Sequence, residues 1–380
     1  MAGGMSGAGR DLAGAEIAGW VAALPGAARL PFLAAPTSLY RVAELYAGFD
    51  PRGPLTAGQT WDARVYAWTR DPGQPHLRAL SPAEAIATRL HDAAMDRLVA
   101  EHLSPATRTT VGFMGGHGIP RDAPIYEQVA RIARELRQQG LDIVTGGGPG
   151  LMEAANFGAF MAPYDERDFV DALALLRTVP AYDGDTPARP ERKAAWAVTA
   201  AQVRAGLLGK WDAEEEPGSE NLGIPTWYYG DEPPNLFATR SGKYFANSLR
   251  EDGLVSVANG GLFFGRGDAG TVQEVFQNAN YNYYRDADTR ATPMVFFDRG
   301  VWDPARHEAI THAKPVFQLV DALAREAPRP FPDVLLLTDD PARVAEFFLA
   351  HNADRPESAP RMADKKLASH CAPPSEARPG

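Results

Sequence analysis

The stretches "TTVGFMGG" (109–116) and "LDIVTGGGPGLME" (141–153) decide the fold. In each, a short run of apolar and β-branched residues ends in glycines, as expected for a buried strand that meets a tight turn. Between them, "APIYEQVARIARELRQQG" (123–140) has apolar residues at helical spacing and closes at Gly140, a common C-terminal residue of helices. Strand–helix–strand–helix order predicts a parallel sheet covered by helices.

The same alternation continues towards the C-terminus. A helix is expected at "LFATRSGKYFANSLRE" (236–251), and further strands are expected at "LGIPTWYYG" (222–230), "GLFFG" (261–265), "TPMVFFD" (292–298) and "DVLLLTD" (333–339). We therefore predict an α/β protein with a Rossmann-like, doubly wound parallel sheet of about six or seven strands.

We place this predicted Rossmann-like domain at 106–353. Two further segments flank it and a third is inserted within it. Residues 1–105 are expected to form a partly helical N-terminal extension, and 162–220 a helical insertion within the domain. The tail at 354–380 is rich in proline, alanine and charge, so we expect it to be disordered.

Two segments of the N-terminal extension allow specific predictions. "QTWDARVYAW" (59–68) carries aromatic and β-branched residues that favour a strand. "SPAEAIATRLHDAAMDRLVAEHL" (81–103) predicts a helix, because Ser81 and Glu84 form a capping-box pattern and Pro82 occupies the first helical position.

Composition narrows the functional classes. The net charge is −10 and no long basic run occurs, so we do not expect a nucleic-acid partner. The single cysteine, Cys371, cannot form an internal disulfide, and no Cys/His spacing predicts a metal site. The N-terminus lacks a signal-peptide pattern and no apolar segment is long enough to span a bilayer, which favours a cytoplasmic protein without membrane contact.

Three glycine-rich loops are the strongest functional feature. They are "GGHG" (115–118), "GGGPG" (146–150) and "GRGDAG" (265–270), and each follows a predicted strand and precedes a predicted helix. In doubly wound sheets, ligands bind beyond the carboxyl ends of the strands. Glycine turns at helix N-termini also let backbone N–H groups approach an anion. The three loops together predict a site for a phosphate-containing ligand.

The third loop has two interpretations. Gly265, Gly267 and Gly270 match a dinucleotide-binding fingerprint, with Asp298 as the acid for the ribose, although the loop belongs to the fourth strand–helix unit and the acid follows at more than the usual ~20 residues. Alternatively, Gly270 and Thr271 hold a phosphate monoester while Glu274 acts on the ligand. Thr271 and Glu274 also fit a capping box, which would explain both residues without catalysis.

Four motifs resemble those of the LOG family of Rossmann-like nucleotide-binding proteins, over roughly residues 108–350. They are "MGG" (114–116), "GGGPGLME" (146–153), "TRSGK" (239–243) and "RGDAGTVQE" (266–274). The family includes cytokinin-activating phosphoribohydrolases and nucleoside 5′-monophosphate nucleosidases. This chain differs from the family pattern at Arg266 and Asp268, where proline and glycine are usual, and in the spacing of Arg240 and Lys243, which stand for an adjacent Arg-Lys pair.

The resemblance implies hydrolysis of the N-glycosidic bond of a nucleoside monophosphate such as AMP, by a homodimer or higher homo-oligomer, without a metal or other cofactor. Glu274 would stabilise the sugar cation and handle the water, and Arg240 would hold the ribose or phosphate oxygens and keep Glu274 ionised. Lys243, Gly270 and Thr271 would take the 5′-phosphate. The other expected substrate contacts are Gly115, Gly116, Gly146, Gly147, Gly148, Gly150, Met152 and Gly267. Two alternatives remain: a non-catalytic nucleotide carrier or sensor, and an NAD(P)-dependent oxidoreductase.

Overall fold

The computed structural model describes residues 30–355 together with Gly19 and Ala23. Within that range it leaves out 54–55, 72–76, 183–188, 216, 229–232, 306–307, 309 and 311. Most of the predicted tail therefore lies outside the described residues.

A single seven-stranded parallel sheet organises the molecule. Its strand order is β4-β3-β2-β1-β5-β6-β7. The strands are β1 (Thr110–Met114), β2 (Asp142–Thr145), β3 (Leu222–Gly223), β4 (Arg240–Ser241), β5 (Gly261–Phe264), β6 (Met294–Phe297) and β7 (Leu335–Thr338). The predicted α/β, Rossmann-like class is confirmed.

Helices connect and flank the strands. They are α1 (Val42–Leu45), α2 (Trp61–Trp68), α3 (Pro82–His102), α4 (Pro124–Gln138), α5 (Leu151–Phe160), α6 (Glu166–Arg177), α7 (Arg189–Leu208), α8 (Asn247–Val257), α9 (Ala269–Tyr284), α10 (Arg299–Trp302), α11 (Phe317–Glu326) and α12 (Pro341–His351). Short 3₁₀ turns occupy Thr56–Gln59 and Pro332–Val334. Every residue of β1, β2, β5 and β6 is buried, as expected for parallel strands covered on both faces.

The strand order reverses between β1 and β5. From β1 the chain moves outward through β2, β3 and β4, then returns to pair β5 with β1, with Met114 opposite Phe264. In doubly wound sheets, ligands bind beyond the carboxyl ends of the strands at such a switch point. Two of the three glycine loops therefore start at the switch point, and the third follows the neighbouring strand β2.

Local chemistry explains one confirmed and two wrong predictions. Helix α3 forms with both capping-box bonds between Ser81 and Glu84. The strand predicted at 59–68 is wrong, because Thr60 caps helix α2 by accepting a hydrogen bond from the Ala63 N–H at 3.0 Å. The helix predicted at 236–251 is wrong in its first part, since β4 pairs there with β3 and the helix begins only at Asn247.

The N-terminal residues pack over the carboxyl ends of β3 and β4. Asp62 on α2 accepts a hydrogen bond from Trp227 Nε1 at 2.8 Å and pairs with the Lys243 ammonium at 2.5 Å. Asp92 on α3 accepts the N–H groups of Phe245 and Ala246 at 2.9 and 2.8 Å. Carboxylates of two N-terminal helices thus fix the loops that follow β3 and β4.

Candidate functional site

The three glycine loops meet at one rim of the sheet. The Gly116 N–H donates to the Arg266 carbonyl at 2.6 Å, which joins the loop after β1 to the loop after β5. The Gly116 carbonyl accepts the Leu151 N–H at 3.2 Å, which joins the first loop to the start of α5. The predicted convergence of these loops therefore rests on direct backbone contacts.

Gly150 makes the closest approach between the loop after β2 and the loop after β1. Its φ of 70° lies in the left-handed region, and a Cβ at this position would overlap the Gly116 carbonyl and lie 2.6 Å from the His117 carbonyl. Only glycine meets both requirements without displacing the backbone. The GGGPG motif thus brings the loops after β1 and β2 into contact.

Helix α9 decides whether Glu274 is only a capping residue. The helix begins at Ala269 with Asp268 at the N-cap position, where no side chain makes a capping bond. Thr271 lies inside the first turn, with its hydroxyl packed against Gly267. The capping-box interpretation of Thr271 and Glu274 is therefore wrong, because Thr271 is helical and is not an N-cap.

Glu274 is buried beside a cation. Its Oε1 lies 3.7 Å from Nη1 of Arg250, and the Glu274 residue is only 7% exposed. Burial raises the pKa of the Glu274 carboxyl to about 7; Arg250 lowers this pKa and the nearby Glu251 raises it. Nη1 of Arg250 also lies 3.6 Å from the position that a Cβ on Gly146 would take. The Glu274 carboxyl, the Arg250 guanidinium and the second glycine loop thus lie next to one another in space, in that order.

Arg250 is the functional candidate that sequence reasoning missed. Arg240 instead donates to Glu215 Oε2 at 3.2 Å, and Lys243 is buried against Asp62. The expected contact between Arg240 and Glu274 is not formed, because 240–246 is strand and loop and not one helical turn. The available signal was the position of Arg250 in the first turn of a helix that follows a strand, which places it at the carboxyl rim.

The other predicted substrate contacts divide by accessibility. Gly147 and Gly148 are held by Asn235, whose backbone N–H and Nδ2 donate to their carbonyls at 2.9 and 3.0 Å. Gly115 packs against Leu151, and Met152 Sδ packs against Gly146. Gly270 is different, because it is exposed and a Cβ there would meet no atom within 4 Å. Gly115 and the second loop therefore form a packed floor, and Gly270 borders open space.

Arg266 and Asp268, the two residues of the third loop that differ from the family pattern, have different partners. Arg266 Nε lies 2.5 Å from Asp298 Oδ2, so the Asp298 carboxylate already has a cation. The Asp268 side chain is 85% exposed, and Lys314 Nζ lies 3.8 Å from it. The acidic side chain in the loop thus faces solvent, with a lysine as its nearest cation.

These contacts weigh against the dinucleotide interpretation. In that fingerprint the third glycine allows close packing of helix on strand, and the acid binds ribose hydroxyls. Gly270 has no such packing partner, and Asp298 is engaged by Arg266. The loop geometry therefore favours the phosphate interpretation of Gly270 and Thr271.

The described residues contain no group of three or more His, Cys, Asp or Glu side chains arranged to hold a metal ion. None of the helices in that part of the chain has both the length and the apolar character needed to cross a bilayer.

Comparison of the sequence with protein-family models and with curated proteins gives no match.

Proposed function

We propose that this protein hydrolyses the N-glycosidic bond of a nucleoside 5′-monophosphate to release a free base and ribose 5-phosphate. The observation that carries the proposal is Glu274: a buried carboxyl with a pKa near 7, one arginine at 3.7 Å, and the GGGPG loop beyond that arginine. A carboxyl whose pKa is shifted by burial beside a cation is a candidate for chemistry.

Glu274 has two tasks in the proposed reaction. Cleavage of a glycosidic bond passes through an oxocarbenium-like sugar cation. A carboxylate about 4 Å from that cation contributes ~4 kcal/mol at an effective dielectric near 20, which corresponds to about three decades in rate. The same group can take a proton from the attacking water, for which a pKa near the working pH is favourable.

The phosphate would bind at the start of α9. The first-turn N–H groups of this helix have no capping side chain, and the Thr271 hydroxyl lies in the same turn. Helix N-termini bind phosphate through such N–H groups and the helix dipole. The open space at Gly270 leaves room for the anion to approach the backbone. Arg250 takes the role of the rim cation that we had expected of Arg240 and Lys243.

A second candidate function is a nucleotide carrier or sensor without turnover. It is favoured by the ion pairs of Arg240 and Lys243, which tie both expected phosphate ligands to carboxylates away from Glu274. The same rim would then hold a nucleotide through α9 and Arg250 alone. Binding without release of the base distinguishes this candidate from the hydrolase.

The proposal includes assembly into a homodimer, as the resemblance implies. Tyr281 and Tyr284 on α9 are 40% and 75% exposed, so this helix offers aromatic surface to a second copy. Sedimentation of the purified chain at several concentrations tests this part, and a monomer at every concentration would contradict it.

Incubation with AMP, GMP, CMP and UMP, followed by chromatography for free base, tests the reaction. We expect base release by the wild type and its loss in Glu274→Gln. The control is Glu101→Gln, because Glu101 is an exposed carboxylate that pairs with Arg97 on the surface of α3. Release that survives in Glu274→Gln contradicts the mechanism. Thermal stabilisation by NAD alone would support the oxidoreductase.

A further inference from the structure

A cavity of about 490 Å³ lies where the N-terminal helices cover the loops after β3 and β4. Its walls include Trp68 at the end of α2, Tyr228 after β3, and Phe245 before α8. Small-molecule sites are typically concave, mostly apolar and of this size. The N-terminal region thus builds a ligand-sized space together with the Rossmann-like domain.

The apolar side chains of this cavity are unusually accessible. Leu77, Leu80 and Tyr228 are 46%, 36% and 43% exposed, and all three line the cavity. Isolated exposed apolar residues are ordinary, but several gathered in one concave surface indicate a binding site. An aromatic ligand that enters the cavity would remove these side chains from water.

One carboxylate lies on the wall nearest to the proposed catalytic group. Glu251 lines the cavity, and its two oxygens accept hydrogen bonds from Asn247 Nδ2 at 2.6 Å and Gln273 Nε2 at 2.5 Å. Glu251 is only 5% exposed, so these two donors hold its carboxylate in a fixed position on the cavity wall.

Glu251 also links the cavity to the rim. Its bond to Gln273 and the pair of Arg250 with Glu274 are neighbouring contacts between helices α8 and α9. The cavity wall that carries Glu251 therefore adjoins the contact between Arg250 and Glu274.

We propose that this cavity binds the base of the nucleotide, so that the N-terminal region determines base specificity. This inference rests on the proposed function. Tyr228 and Phe245 would contact the faces of a flat ring, and Glu251 would accept a hydrogen bond from an exocyclic amino group. The preferred ligand class is a nucleoside monophosphate whose base carries an amino group, as in AMP.

Calorimetric titration of the full chain with AMP and with ribose 5-phosphate tests the cavity, in a Glu274→Gln background that prevents turnover. Stacking on an aromatic side chain contributes about 1–3 kcal/mol per base, so we expect Tyr228→Ala to weaken AMP binding about tenfold and to leave ribose 5-phosphate unchanged. Val170→Ala is the control, because Val170 is an exposed apolar residue of α6 and is not part of the cavity.

A second comparison tests the role of Glu251. The base of AMP carries an amino group where inosine monophosphate has a carbonyl. We therefore expect the wild type to bind AMP more tightly than inosine monophosphate. In Glu251→Gln, the ratio of the two affinities should fall at least fivefold. An unchanged preference would overturn the role of the carboxylate. Circular dichroism of each variant establishes that the fold is retained.

The outcomes separate this inference from the proposed hydrolase. Base release together with AMP binding that is insensitive to Tyr228→Ala overturns the cavity and leaves the hydrolase. Base-dependent binding without release overturns the hydrolase and leaves the cavity. Equal weakening of AMP and ribose 5-phosphate by Tyr228→Ala overturns the cavity, and no binding of any of these compounds overturns both.

Discussion

Two buried arginine–glutamate pairs in this molecule have the same residue types and opposite geometries. Arg121 and Glu153 form a two-bond pair, with Nε–Oε2 and Nη2–Oε1 distances of 2.9 and 2.5 Å, and their side chains are 1% and 0% exposed. Arg250 and Glu274 have a 3.7 Å contact, with side chains 10% and 9% exposed.

The surroundings of the two pairs also differ. Arg121 donates further bonds to Thr199 Oγ1 at 2.8 Å and to the Trp196 carbonyl at 3.2 Å, so it ties the loop after β1 to helix α7. One turn beyond Glu274, Nδ2 of Asn278 is buried and finds no acceptor among the described residues. Loss of one partner from a saturated buried pair destabilises the fold, whereas a loose pair with spare polar groups beside it is suited to a ligand.

The largest effect should come from breaking the saturated pair. Arg121→Leu leaves the Glu153 carboxylate buried without its cation, and loss of one partner of such a pair typically costs about 3–5 kcal/mol of unfolding free energy. Urea denaturation followed by circular dichroism measures the change. Arg97→Leu, which removes an exposed ion pair on α3, serves as the control and should change stability by less than about 1 kcal/mol. Equal effects of the two variants would contradict a structural role for Arg121.

Breaking the loose pair should impair the reaction without destabilising the fold. We expect Glu274→Gln to lower kcat about a thousandfold, because the carboxylate that stabilises the sugar cation is lost, which corresponds to ~4 kcal/mol. Steady-state release of base measures kcat, and KM should change little. A Glu274→Gln enzyme that unfolds like Arg121→Leu would show that the two pairs are alike.

The pH dependence of stability sharpens the comparison further. The folded pKa of Glu274 is about 7 against 4.5 for an ordinary glutamate, so the folded protein keeps a proton that the unfolded chain has lost. This stabilising contribution is complete below about pH 4.5 and is lost as the pH rises through 7. The difference in unfolding free energy between Glu274→Gln and the wild type should therefore change with pH. Between pH 4.5 and pH 8 it should shift in favour of the variant by up to about 3 kcal/mol.

Thermal unfolding of both proteins across this pH range measures that difference. The wild-type kcat/KM should rise over the same range with an apparent pKa near 7, since the ionised carboxyl is the active form. A stability difference between wild type and Glu274→Gln that is independent of pH would contradict the raised pKa.

The smallest effect concerns the glycine at the rim. A Cβ on Gly270 meets open space in the first turn of α9, so Gly270→Ala should stabilise the protein slightly, by about 0.5–1 kcal/mol or less. We expect the same variant to raise KM for AMP several-fold, because the methyl group occupies the path of the phosphate. Kinetics together with thermal unfolding separate these effects. An unchanged KM would place the phosphate elsewhere.

The sequence motifs predicted where the glycine loops meet, but they did not predict Arg250, the cation beside Glu274. Gly150 and Gly116 could be placed together from sequence, because glycine turns after neighbouring parallel strands must lie at the same edge of the sheet. Arg250 could not be identified in this way, because the two-residue strand β4 has too few residues to show an alternating pattern. A helix was therefore predicted across 236–251, which placed Arg240 and Lys243 on one face.

The sequence by itself determined the α/β class and the glycine loops at the carboxyl edge of the sheet, because strand and helix periods and glycine turns are local properties of the chain. Only the tertiary structure decided that Arg250 stands beside Glu274, that Arg240 and Lys243 pair with Glu215 and Asp62, and that the N-terminal helices enclose a cavity. Ion pairs and cavities depend on distances between segments far apart in the chain, and burial, which sets the pKa of Glu274, exists only once those segments have packed.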